Sequence, residues 1–153
     1  MRVPGPAAAA ATAGLVVALD QGTKQLAATR IARGEQVGFL PGLDFTHGRN
    51  TGVAFGALEG SGLIVAILIG LALTLLVAYF VANRDLPWLW LPVGLLLGGA
   101  LGNLADRARE GAVIDFIDPV AWPAFNVADS SIVIGVGLLL WLVERRSRRA
   151  STA

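Results

Sequence analysis

The chain has 153 residues, 55% of them hydrophobic and 15% charged, with a mean hydropathy of +0.66. Soluble domains carry about a quarter charged residues, so this balance excludes an ordinary water-soluble globule and points to a membrane protein. The formal net charge of +1, with basic residues scattered apart from Arg145, Arg146, Arg148 and Arg149, argues against a nucleic-acid surface; the lack of cysteine excludes a disulfide, a thiol nucleophile and a cysteine metal site.

Crossing ~30 Å of hydrocarbon takes about 20 apolar residues, and four segments meet that need: 7–28, 63–82, 88–104 and 127–143. The first follows Arg2 and is rich in alanine, as a signal peptide is. It runs on into Asp20 and Lys24 without a small-residue cleavage site, so a retained helix is expected. Asp20 and Lys24 are spaced i, i+4 and share a helix face, which suits an ion pair easing Lys24 into the membrane boundary, a functional role, or both.

Residues 29–57 form a glycine-rich outer segment. Its apolar runs, Val37 to Leu40 and Val53 to Phe55, suit short strands at the membrane surface, a small β platform. The lone His47 excludes a two-histidine zinc site, and Asn50-Thr51-Gly52 reads as a turn. The second apolar segment holds no charged residue. Asn83 to Pro87 is then a tight hairpin, with Trp88 and Trp90 as interfacial anchors.

In the third segment Gly98, Gly99 and Gly102 let a neighbouring helix approach closely. Asn103, Asp106 and Arg107 follow at i, i+3 and i+4, as a charged helix end or as part of a site. Residues 105–126 are expected to be a second outer segment, a loop resting on the interface through Pro119, Trp122, Pro123 and Phe125. Inside it Asp115 lies between Ile114 and Phe116, where a carboxylate needs either a raised pKa or a close partner. Asp44 and Asp118 read as ordinary loop acids. Asn126-x-x-Asp129 opens the fourth segment as a near capping box, so Asp129 is a helix cap, a catalytic group, or both.

The arginine cluster lies in residues 144–153, and a contiguous basic tail reads as cytoplasmic. Four spans then put both termini inside, although the twelve Lys and Arg residues divide evenly between the two sides. The expected architecture is one α-helical membrane domain over 1–153: four transmembrane helices, a small extracytoplasmic β segment and an outer interfacial loop. Asp115 and Asp129 both fall at the outer boundary. Two close carboxylates cannot both ionise, so they hold one proton between them and supply an acid and a base together, with no metal required. A small transporter lined by Asp20, Lys24, Asp106, Arg107, Asp115 and Asp129 is a competing reading, but these charges cluster at one boundary instead of crossing the membrane. A packing scaffold would use the glycines and leave Asp115 without a purpose.

Taken in order, Asp20-Gln21-x-Thr23-Lys24, Asn50-x-Gly52-x-Ala54-Phe55, Gly98-Gly99-Ala100-x-Gly102-Asn103-x-x-Asp106-Arg107, Gly111-x-Val113-x-Asp115-Phe116 and Phe125-Asn126-x-Ala128-Asp129-Ser130 resemble the bacterial lipoprotein signal peptidases, signal peptidase II. The resemblance runs from the first segment to the fourth. It implies an aspartic endopeptidase of the bacterial cytoplasmic membrane. Such an enzyme removes signal peptides from prolipoproteins, amino-terminal to a diacylglyceryl-modified cysteine. It further implies Asp115 and Asp129 as the catalytic pair, with Asp20, Lys24, Asn50, Asn103, Arg107, Asn126 and Ala128 supporting the pair or positioning substrate. No cofactor or metal is expected; the partners are prolipoprotein and membrane lipid, not nucleic acid, and the expected state is a monomer.

Overall fold

The structure, a computed structural model, describes residues 5–51 and 62–150. Four helices dominate it: α1 (Pro6–Arg30), α2 (Gly62–Ala82), α3 (Trp90–Glu110) and α4 (Val127–Ala150). Their 25, 21, 21 and 24 residues correspond to lengths of about 31–38 Å. Among the described residues there are also three strands: β1 (Gln36–Leu40), β2 (Leu43–Asn50) and β3 (Val113–Pro119). They form one antiparallel sheet in the order β1-β2-β3.

The first hairpin turns through Pro41-Gly42, where Gly42 takes φ 83°, the positive value that the third position of a type II turn requires. Phe39 and Phe45 pack across the hairpin as a tilted pair, with ring centroids 4.9 Å apart. The expected strand at Val37 to Leu40 is therefore present. The run Val53 to Phe55, and with it Gly52, Ala54 and Phe55 of the second motif, lies outside the described residues.

Three expectations need correction. The segment 105–126 is not a loop throughout: α3 continues to Glu110, Gly111 ends it in the left-handed region at φ 72°, and β3 then pairs with β2. Pairing with β2 supplies what the segment cannot supply alone, partners for its backbone, and Val113 to Phe116 are all buried. The third helix starts at Trp90 and ends at Glu110 instead of spanning 88–104, because Ala105, Arg107, Ala108, Arg109 and Glu110 are good helix formers, with the basic Arg107 and Arg109 at the negative end of the dipole. The basic tail is no separate element either. Helix α4 runs on to Ala150, with Arg148 bonded to Glu144 at 2.7 Å one turn earlier.

Helix α3 is the central element, packed against α1, α2 and α4. Near the α2–α3 hairpin the packing is apolar, built on Ala9, Phe80, Leu89 and Val93. Toward the C-terminal end of α3 it becomes polar. Glycine makes the approaches close: a Cβ on Gly94 or Gly98 would lie 2.8 Å from the carbonyl oxygens of Ala9 or Ala13 on α1, and one on Gly99 would lie 2.5 Å from the Ala128 carbonyl oxygen on α4. Gly99→Ala is thus expected to force α3 and α4 apart and cost about 1–3 kcal/mol, seen as a lower melting temperature in detergent. Gly137→Ala, where a Cβ meets nothing within 4 Å, should leave it unchanged or raise it slightly.

The outer faces of the helices are apolar. Leu15 and Leu19 on α1, Ile67, Leu71 and Leu75 on α2, and Val133 and Leu140 on α4 are exposed, a larger apolar surface than water tolerates. Among the described residues α4, over Val127–Arg149, is long and apolar enough to cross a membrane by length and composition, and Ile67–Ala82 of α2 is a shorter apolar stretch. Helix α1 carries Asp20 and Lys24 in its buried face, and α3 carries Asp106, Arg107 and Arg109 in its last turns.

Candidate active site

The polar cluster is built from the C-terminal halves of α1 and α3, strands β2 and β3, and the first turn of α4. Asp115 is buried at 4% exposure in β3. Its Oδ1 accepts a hydrogen bond from Asn126 Nδ2 at 2.7 Å, and its Oδ2 accepts one from Asn50 Nδ2 at 3.1 Å. Asn50 reaches it across the β2–β3 pairing, which is irregular between Phe45 and Gly48.

Asp129 stands at the start of α4. Its Oδ2 accepts from the Asn126 backbone N–H at 3.2 Å while Asn126 Oδ1 accepts from the Asp129 N–H at 2.9 Å, a reciprocal capping box. The cap leaves Oδ1 to accept from Asn103 Nδ2 at 2.8 Å. Asn126 therefore touches both carboxyl groups, Asp115 through its side chain and Asp129 through its backbone.

The surroundings fix the amides' orientations. Lys24 Nζ donates to Asn103 Oδ1 at 2.8 Å, so the amide oxygen of Asn103 must face the cation and its NH2 must face Asp129. Asn126 likewise turns its oxygen to the Asp129 N–H and its NH2 to Asp115. Both carboxyls are met by donors on each oxygen.

Behind this layer lies a buried ion network. Lys24 Nζ is 2.8 Å from Asp20 Oδ2 and 2.7 Å from Asp106 Oδ2, and these three side chains are 2%, 0% and 5% exposed. The i, i+4 pairing of Asp20 and Lys24 is thus present, with Asp106 as a third member that i, i+4 spacing within α1 had no means to include. Gln21 bridges the rim, donating to Asp106 Oδ1 at 2.8 Å and accepting from Arg109 Nη1 at 2.8 Å. Asp20 Oδ1 accepts the backbone N–H of Ala128 at 2.9 Å, which places Ala128 in the cluster as a main-chain donor. Arg107 is partly buried, with Nη1 3.5 Å from the Asn103 carbonyl oxygen and within electrostatic reach of Asp129, Asp115 and Asp106.

The nine residues expected as the pair and its supports all converge here, and Asp106 and Gln21 join them. Asp44 and Asp118 stand apart on the sheet, where Asp118 accepts from Gln36 at 2.7 Å. Among the described residues no three His, Cys, Asp or Glu side chains gather as a metal would need.

Burial pushes the Asp115 carboxyl up to about 6, the charge of Asp129 adds to the rise, and Asn50, Asn126 and Lys24 oppose it. A carboxyl raised from 3.8 binds a proton on folding, so its contribution to stability is fully present below about pH 4 and lost as pH rises through about 6. Asp115→Asn removes that dependence. Its melting temperature relative to the unsubstituted protein is expected to climb by several degrees between about pH 4 and about pH 7. Parallel melting curves across this range would show that Asp115 ionises as it does in water.

The family model for signal peptidase (SPase) II matches residues 12–144. The chain belongs to the signal peptidase II family. It is 38% identical over 135 residues to the lipoprotein signal peptidase of Halothermothrix orenii, covering 86% of this chain and 93% of that one. With the lipoprotein signal peptidase of Parasynechococcus marenigrum the identity is 44% over 146 residues, covering 92% and 89%. Two solved structures of bacterial membrane enzymes have the same fold. One superposes with a TM-score of 0.88 at 33% identity over 96% of this chain and 94% of its own, the other with 0.83 at 35% identity over 94% and 97%. This signal peptidase II is thus a bacterial membrane protein and a peptidase, of aspartic type by family, that acts in lipoprotein processing by cleaving signal peptides.

Proposed function

We propose that this signal peptidase II cleaves diacylglyceryl-modified prolipoproteins amino-terminal to the lipidated cysteine, with Asp115 and Asp129 as a catalytic pair sharing one proton. The observation that carries this reading is Asn126, whose side chain holds Asp115 at 2.7 Å and whose backbone holds Asp129 at 3.2 Å. Peptide hydrolysis needs a base to activate water and an acid to polarise the carbonyl and then protonate the leaving amine. The ionised carboxylate takes a proton from water as its oxygen attacks the scissile carbonyl carbon. The protonated partner donates to the carbonyl oxygen, and collapse of the tetrahedral adduct breaks the C–N bond with a proton passing to the amine. The pair titrates as a unit. Asn50, Asn103 and Asn126 hold the carboxyls, Asp20, Lys24 and Ala128 support them, and Arg107 holds a substrate carbonyl or lipid oxygen on the same face.

In this reading the chain is one domain with four membrane-crossing helices. The charged residues of α1 and α3 are turned inward or placed at the boundary, so their sum understates how apolar the lipid-facing surfaces are. The arginines ending α4 lie in the cytoplasm with both termini, the pair lies at the outer face of the cytoplasmic membrane, and β1 offers the exposed Val37, Phe39 and Leu40 to the bilayer surface. The acyl chains of the substrate stay in lipid between helices, and the enzyme works as a monomer.

The test is cleavage by the purified enzyme in detergent. A diacylglyceryl-modified precursor should yield a shortened product beginning at the lipidated cysteine, and the same precursor without lipid should yield none. Equal cleavage of both, or a different new terminus, would overturn the reading.

A further inference from the structure

Each residue directly before a member of the aspartate pair has its backbone N–H held by a buried carboxylate. Asp106 Oδ2 accepts from Ile114 at 3.2 Å, one residue before Asp115, and Asp20 Oδ1 accepts from Ala128 at 2.9 Å, one residue before Asp129. Lys24 ties the two carboxylates together at 2.8 and 2.7 Å. A path therefore joins β3 to α4 through Ile114, Asp106, Lys24, Asp20 and Ala128, beside the one that runs through the asparagines touching the aspartates, and Lys24 links the two by donating to Asn103.

We infer that Asp106 is a positioning residue: with Lys24 and Asp20 it forms a clamp that sets the separation of Asp115 and Asp129 by gripping the main chain beside each. The inference rests on the catalytic pair proposed above. Its physical basis is that a pair sharing one proton depends steeply on spacing. Brought close, the like charges split the two apparent pKa values of the pair and hold a wide pH range in which one proton is present; moved apart, the two values converge. The charged groups facing the pair are Lys24 and Asp20 of α1 and Asp106 and Arg107 of α3, with the neutral Asn50 on β2.

Asp106→Asn keeps an oxygen for the Ile114 N–H, whereas Asp106→Leu has a similar volume and no acceptor. In detergent, with the lipidated precursor and turnover counted per folded molecule, Asp106→Leu is expected to lose about 100-fold in kcat with little change in KM, the effect of a displacement on the order of 1 Å. Its pH–rate profile should be narrower than that of the unsubstituted enzyme, and Asp106→Asn should restore both turnover and width. Gly102→Ala reaches the clamp from the other end and removes no charged group: its Cβ would come 2.5 Å from Asp20 Oδ2, pushing that carboxyl away from the Ala128 N–H. It too should narrow the profile, and it decides the question if Asp106→Leu does not fold.

A purely structural role lowers the amount of folded enzyme and leaves the width unchanged, which would overturn the inference. So would equal damage by Asp106→Asn and Asp106→Leu, since charge and not the amide grip would then matter. Failure of the catalytic pair looks different: Asp115→Asn or Asp129→Asn would remain active whatever Asp106 does.

Discussion

Asp115→Asn and Asp129→Asn are each expected to reduce cleavage of a lipidated precursor at least about 1,000-fold, and the double variant to be no worse than either alone. General acid–base groups contribute about 100- to 10,000-fold, and carboxyls sharing one proton act as a unit whose parts do not add. An asparagine cannot hold the shared proton at either position. It fills almost the same space and keeps one oxygen for the local donors: Asn126 at position 115, and Asn103 or the Asn126 backbone at position 129. The loss of one hydrogen bond costs on the order of 1 kcal/mol, so both variants should remain folded. Asp118→Asn, three residues along β3 and bonded to Gln36, is the control expected to retain full activity. Turnover within about tenfold of the unsubstituted enzyme in either dyad variant would remove the acid–base assignment while leaving family membership intact.

What the sequence made legible was local. The i, i+4 spacing of Asp20 and Lys24, the Asn126-x-x-Asp129 box and the charge-free second helix are properties of one helix each, and both ends of α1 and α2 and the start of α4 fall within a residue or two of those expected. Asp115 stood out because an acid between Ile114 and Phe116 needs a reason. Non-local partners were not legible. Strand β3 exists because β2 is beside it, and its short apolar stretch, with Pro119 at the end, reads as a loop without that neighbour. Asp106 resembled a helix-end charge because its cation, Lys24, lies on another helix far along the chain. Asn50 reaches Asp115 only through the register of two strands whose sequences do not announce their pairing. The arginines after Val143 read as a tail because their charge is conspicuous, whereas their good helix propensity is not.

The largest effect on stability is expected from Lys24→Met. The ammonium group has three N–H donors, and all three acceptors, Asp20, Asp106 and Asn103, lie within 2.8 Å, so its hydrogen-bonding capacity is filled in a site that is 2% exposed. Methionine matches the stem and removes the charge. Two carboxylates, 0% and 5% exposed, are then left facing each other without the cation that bridges them. Removing one partner of a buried ion network costs about 3–5 kcal/mol, enough to lower the melting temperature in detergent by roughly 10 °C or more. The penalty belongs to the stranded charges and not to the lost contacts, and this distinguishes it from a simple packing defect. Adding Asp20→Asn and Asp106→Asn to Lys24→Met should therefore recover at least half of the lost stability, because neutral amides of the same shape can still accept from Ala128 and Ile114. A Lys24→Met protein melting like the unsubstituted one would mean the network does not carry its formal charges. A triple variant melting below the single one would mean the carboxylates hold the two backbone segments by charge instead of by hydrogen-bond geometry.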